Sequence, residues 1–98
     1  MLVAFSVAPA DSTADSLSGV VADAVRVVRE SGLPNETTSM FTTIEGESWD
    51  EVMDVVKRAV EAVQAKSSRV SLVLKADIRP GYSGQLHAKV ERVEQQLG

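Results

Sequence analysis

Met40-Phe41-Thr42-Thr43-Ile44-Glu45-Gly46-Glu47-Ser48-Trp49-Asp50-Glu51-Val52-Met53 carries a strand into a helix, and its reading decides the fold. In the first half, threonines with a Phe and an Ile favour pleated backbone over helix. Ser48-Trp49-Asp50-Glu51 then fits the capping box, in which the Ser hydroxyl accepts from the third helical amide while the Glu side chain reaches back to the Ser48 amide. Behind it Val52, Val55, Val56, Ala59, Val60 and Val63 recur at the spacing of one helical face, and Asp54, Lys57, Arg58 and Glu61 fall outside that stripe.

Working back towards the N-terminus, residues 33–38 offer a partner strand for residues 40–47, joined by a turn that lacks the usual Asn-Gly signal. Leu17, Val20, Val21, Ala24, Val25 and Val28 draw a second helical face, N-capped by Asp15 or Ser16 and ended by Gly32. Residues 2–8 form a short apolar run stopped by Pro9, which reads as the first strand. Towards the C-terminus, Val70, Leu72, Leu74, Ala76 and Ile78 alternate with polar residues, broken only by Val73, as a strand between unlike surroundings does. Past Pro80-Gly81, Leu86, Val90, Val93 and Leu97 repeat at helical spacing among Gln, Lys, Glu and Arg, a narrow seam suited to packing on another helix.

The order is that of a split βαβ arrangement. We therefore expect one α+β domain over residues 1–98, a ferredoxin-like βαββαβ sandwich with an antiparallel four-stranded sheet and an added C-terminal helix. Two Val-rich helices cover only one face of such a sheet, so the other face stays wet, takes the last helix, or is buried against a partner subunit. Met40 and Ile44 are expected to point one way, and Phe41, Thr43 and Glu45 the other, as a mixed pocket wall would.

Composition narrows the function classes. With 98 residues, 44% hydrophobic and 24% charged, the chain falls among globular proteins of one core. A net charge of −4 leaves no basic stripe for nucleic acid and suits a neutral or cationic small ligand. Cysteine is absent, so neither disulfides nor thiolate metal sites are expected, and no apolar run nears the roughly 20 residues of a membrane span. The N-terminus lacks the basic start of a signal peptide, which makes a cytoplasmic location the expectation.

Catalytic constellations are missing. His87, on the last helix without acidic companions, reads as an exposed helix residue and not a metal ligand or base. Gly81 and Gly84 do not form a phosphate-binding fingerprint and read as turn residues. Glu45 reads equally as a ligand contact or a solvated edge-strand residue. Ser16 and Ser18, at a helix start, either cap that helix or present donors to a ligand. Trp49 reads as packing beside its helix, and Tyr82 as a surface aromatic, with ligand stacking as the alternative for each.

Several runs together resemble the small thiamine-binding protein family. They are residues 3–9, Ser16-Leu17-Ser18 with Val21-Ala22, Ser31-Gly32-Leu33, and the stretch from Met40 to Met53 with Val55-Val56-Lys57. Lys75-Ala76-Asp77-Ile78-Arg79, Lys89-Val90-Glu91 and Val93-Glu94 continue the match to the C-terminus. The resemblance implies dimers that pair into tetramers through open sheet faces, with pockets near subunit contacts for thiamine or its hydroxymethylpyrimidine half. It implies no enzymatic activity and no cofactor. Carried onto this chain, the pocket residues are Ser16, Ser18, Thr38, Thr42, Thr43 and Glu45, with Phe5 or Phe41 to stack on the ring. Phe41 stands where the family pattern often has Gly, Ser48 is an extra residue before Trp49, and residues 10–15 depart from the family's Gly-Thr loop. The expected role is carrier, buffer or sensor. An amino-acid-sensing ACT-like module is the second class considered, and an enzyme on the same scaffold, which lacks a visible acid-base pair, the third.

Overall fold

The computed structural model describes residues 1–11 and 17–98. Seven elements follow in order: β1 (Leu2–Pro9), α1 (Leu17–Glu30), β2 (Asn35–Thr37), β3 (Thr42–Glu45), α2 (Trp49–Gln64), β4 (Val70–Asp77) and α3 (Gln85–Leu97). The strands lie in the order β2-β3-β1-β4 with every neighbouring pair antiparallel, the expected ferredoxin-like sandwich with an added helix. The candidate N-caps Asp15 and Ser16 lie outside the described residues.

Register explains which face is dry. Val3 stands opposite Ile44 on one side and Ala76 on the other, so these side chains share the face that α1 and α2 cover. There they meet Val20, Ala24 and Val28 of α1 and Val52, Val55, Val56, Ala59 and Val63 of α2 in one core. Each such Val or Ile contributes about 1.5–3 kcal/mol relative to its exposed state. Phe5 belongs to this core at 2% exposure. Its ring is thus spent on packing and is not a stacking platform, which corrects the sequence expectation.

β2 and β3 are shorter than the sequence suggests, because Thr38 closes the turn between them. Its N–H donates to the Phe41 carbonyl at 2.9 Å, and its hydroxyl accepts from the Met40 and Phe41 amides at 3.4 and 3.3 Å. A threonine side chain thereby replaces the missing Asn-Gly signal. Met40 and Phe41 consequently sit in the turn and not on the strand. Of the expected alternation only Ile44 inward, with Thr43 and Glu45 outward, holds.

The α2 capping box forms with one change of partner. The Glu51 amide donates to Ser48 Oγ at 3.2 Å as expected, but the Glu51 carboxylate accepts from the Glu47 amide, at 3.0 Å, and not from that of Ser48. The cause lies at Gly46, where a Cβ would stand 2.5 Å from Val52 Cγ2 and 2.8 Å from Glu51 Oε1. Only glycine lets the first turn of α2 lie this close to the end of β3, which draws the Glu51 side chain along the backbone at Gly46-Glu47. Replacing the cap hydroxyl, Ser48→Ala, is expected to lower stability by about 1 kcal/mol in denaturant unfolding.

The second sheet face, carrying Ala4, Thr43, Val73 and Lys75, receives α3 at one corner only. Of α3, Leu86 alone is buried, while Val90, Val93 and Leu97 are 59%, 59% and 76% exposed. The predicted seam is therefore real in spacing but has no partner among the described residues.

Candidate functional site

Glu45 is the last residue of β3 and points to the face that α3 reaches. Its backbone is fixed by an N–H bond to the Pro34 carbonyl at 3.0 Å, and Gly46 beyond it is paired with Met1. Glu45 is 6% exposed, and its carboxylate accepts from two backbone amides, Gln85 at 2.8 Å through Oε2 and Leu86 at 3.1 Å through Oε1. The residue before α3 is Gly84, at φ 66°, which has no side chain to cap the helix. A carboxylate from 40 residues earlier in the sequence therefore satisfies the first amides of α3, with its charge at the positive end of the helix dipole.

Two amide bonds leave each carboxylate oxygen with a free lone pair. Glu45 lines a cleft of about 450 Å³ between the segment before β2 and the start of α3. Leu33, Pro34 and Leu86 supply apolar walls, and Glu47, Glu51 and His87 stand around the opening. The volume falls within the roughly 300–1,000 Å³ of small-molecule sites, and the combination of apolar walls with a few convergent polar groups is the usual one. Three carboxylates against one imidazole make the cleft attractive to a cation or to N–H donors. Among the described residues no group of three or more His, Cys, Asp or Glu is placed to hold a metal ion.

A second anchor holds α3 nearby. Lys89 Nζ bonds Asp77 Oδ2 at 2.6 Å, and that hydrogen bond holds the Asp77 carboxyl below the ordinary carboxylate range. A lowered folded-state value means the contact is intact at neutral pH and is lost only as pH falls through that lowered value.

The structure divides the remaining sequence candidates. Thr42 is buried on the helix-covered face, its hydroxyl 3.2 Å from that of Thr37, and lies beside Val21 of α1. Ser18, one turn before Val21, is exposed along the same helix, and Thr38 and Phe41 form the turn between β2 and β3. Thr43 points to the other face, opposite Ala4. Ser16 lies outside the described residues. Thr38, Phe41 and Thr42 thus lie at one end of β3 and Glu45 stands at the other, with Ser18 on the surface of α1, so these residues do not share one cleft within a single chain. Leu33, Pro34 and Leu86 line the cleft without being recognisable as binding residues in the sequence. Apolar residues flanking turns carry no chemical signature, and only their meeting around a carboxylate gives them one.

Comparison with known proteins adds three relatives and one family. A family model described as thiamine-binding protein matches residues 3–94. A UPF0045 protein of Mycobacterium bovis is 54% identical over 97 residues, covering 99% of this chain and 94% of the relative. A hypothetical protein of Methanocaldococcus jannascii superposes with a TM-score of 0.84 at 29% identity, over 96% of this chain and 95% of its own. A Thermotoga maritima protein, provisionally described as one of thiamine biosynthesis or salvage, superposes at 0.81 with 27% identity, over 94% and 96% of the two chains.

Proposed function

Since the chain belongs to the thiamine-binding protein family, we propose that it binds thiamine or the hydroxymethylpyrimidine half of thiamine in the cleft floored by Glu45. The observation that carries this reading is a carboxylate that is nearly buried, oriented by two backbone amides and still open to a cleft with apolar walls. An aminopyrimidine presents N–H donors to the free lone pairs of Glu45, a charge-assisted pairing stronger than one between neutral groups. The ring rests against Leu33, Pro34 and Leu86, and the cationic thiazolium of the whole vitamin gains from Glu47 and Glu51 at the opening. Binding of this kind needs no nucleophile or acid-base pair, which suits a carrier, buffer or sensor rather than an enzyme.

Isothermal calorimetry with thiamine and with hydroxymethylpyrimidine is the test. The expected result is one saturable event per chain for each, with the vitamin tighter because it alone carries the cation. No heat from either ligand at about 1 mM, a concentration that captures weak binding, would contradict the proposal.

Self-association is part of the same proposal. The unpaired stripe Val90-Val93-Leu97 and the exposed Val73 on the open sheet face are apolar surface that a second copy of the chain would cover. With α3 fastened near its start, by Glu45 and by Lys89, the cleft lies at the root of the element that would make that contact. No helix among the described residues is long and apolar enough to cross a membrane, so a bilayer-spanning role for the stripe has no support.

A further inference from the structure

A second cleft, of about 520 Å³, opens beside the first between the start of α2 and the 78–83 loop, and the two share Glu47 and Ser83 in their linings. Its aromatic content sets it apart. Trp49, the only tryptophan of the chain, is 47% exposed there, and Tyr82 is 50% exposed. The Arg79 guanidinium carbon lies 3.6 Å from the centroid of the Tyr82 ring, held by a turn in which the Tyr82 amide donates to the Arg79 carbonyl at 3.3 Å. Stacking uses the flat face of a guanidinium and leaves its edge of N–H donors free. That edge has no carboxylate partner among the described residues, where the ion pairs are Arg26–Asp23, Arg58–Asp54, Lys66–Asp23 and Lys89–Asp77.

A surface arginine stacked on a tyrosine is ordinary. Here the stack stands in a cleft with an open indole, and that cleft adjoins one suited to an aminated ring. We infer that the Arg79 cleft takes the anionic tail, a phosphate group, of a ligand whose ring occupies the Glu45 cleft, so that the chain prefers phosphate esters of its ring ligand to the free alcohol. The inference rests on the ring-binding reading above and adds the tail. Arg79 supplies the forked donors that match phosphate oxygens, the Ser83 hydroxyl stands on the shared wall, and Trp49 covers the linker between ring and tail. Glu47, exposed at the junction, is the like charge such a tail must pass.

The experiment measures the ratio of affinities for thiamine and thiamine monophosphate by calorimetry, with Trp49 fluorescence read in parallel. In the unmodified chain the phosphate ester is expected to bind about tenfold tighter, the scale of one good charge-assisted contact. It is also expected to change Trp49 emission. Arg79→Gln should bring the ratio close to one while leaving thiamine affinity within a few-fold, Arg79→Lys should recover part of it, and Glu47→Gln should raise it. Thiamine binding with no preference for the ester, or a preference untouched by Arg79→Gln, would overturn the inference and leave the ring site standing. Failure of both ligands to bind would overturn the two together.

Discussion

Glu45→Ala is expected to abolish detectable thiamine binding and, in the same protein, to release the first turn of α3. The two effects share one cause, because the carboxylate that faces the cleft also holds the Gln85 and Leu86 amides. Removing it takes away a charged acceptor from two amides and strands them near a helix start with no other cap. At about 1.5–3 kcal/mol for a hydrogen bond to a charged group, discounted because water replaces part of what is lost, the local cost is about 2–4 kcal/mol. Hydrogen exchange at residues 85 and 86 should accelerate by about 30- to 1,000-fold, the range that this cost converts to, with exchange in α2 unchanged, since the core of Val52, Val56 and Val63 does not involve α3. Glu45→Gln separates the roles. Its amide oxygen can serve one of the two N–H groups and hold α3 in part, but its NH2 faces the other, and it offers no charge to a cation. Thiamine binding that survives Glu45→Ala would place the ligand elsewhere.

The double substitution Val90→Glu, Val93→Glu is expected to turn an oligomer into a monomer. Both positions are more than half exposed, so the change should cost the isolated fold little. In an interface, two buried carboxylates without partners are costly, and association should weaken by at least about 100-fold. Light scattering coupled to size exclusion reads the result directly. An unmodified chain that is monomeric at high concentration, or a double variant that stays assembled, would remove self-association from the proposal.

Much of the architecture is legible in the sequence because it rests on local signals. The valine stripes of α1 and α2, the alternation in β4 and the capping box at Ser48 each need only a few neighbouring residues to be recognised, and the split βαβ order follows. Thr38 is not recognisable as a turn residue from the sequence because its hydroxyl acts in place of the expected glycine signal. The dual service of Glu45 was not legible at all. Its partners lie 40 and 41 residues away, they are backbone amides that any residue possesses, and nothing in the local pattern announces that α3 begins without its own cap. The dispersal of Ser18, Thr38 and Thr42 away from Glu45 has a similar origin. Adjacent residues of a strand face opposite sides, and Thr42 and Glu45 are separated by an odd number of steps.

Glu47, Gly46 and Glu51 illustrate how the candidate site depends on the fold. Without the close approach at Gly46, the Glu51 carboxylate would not lie along the backbone at the cleft rim. The placement of the Glu51 carboxylate at the rim thus follows from how tightly α2 starts after β3.

Chemical-shift mapping of the backbone amides during titration with thiamine tests the central claim most directly. The account predicts perturbations concentrated at residues 45–51 and 83–87, with the Gln85 and Leu86 amides moving most because the ligand draws on the carboxylate they share. Perturbations confined to Ser18 and residues 38–43, with Gln85 and Leu86 unmoved, would contradict it.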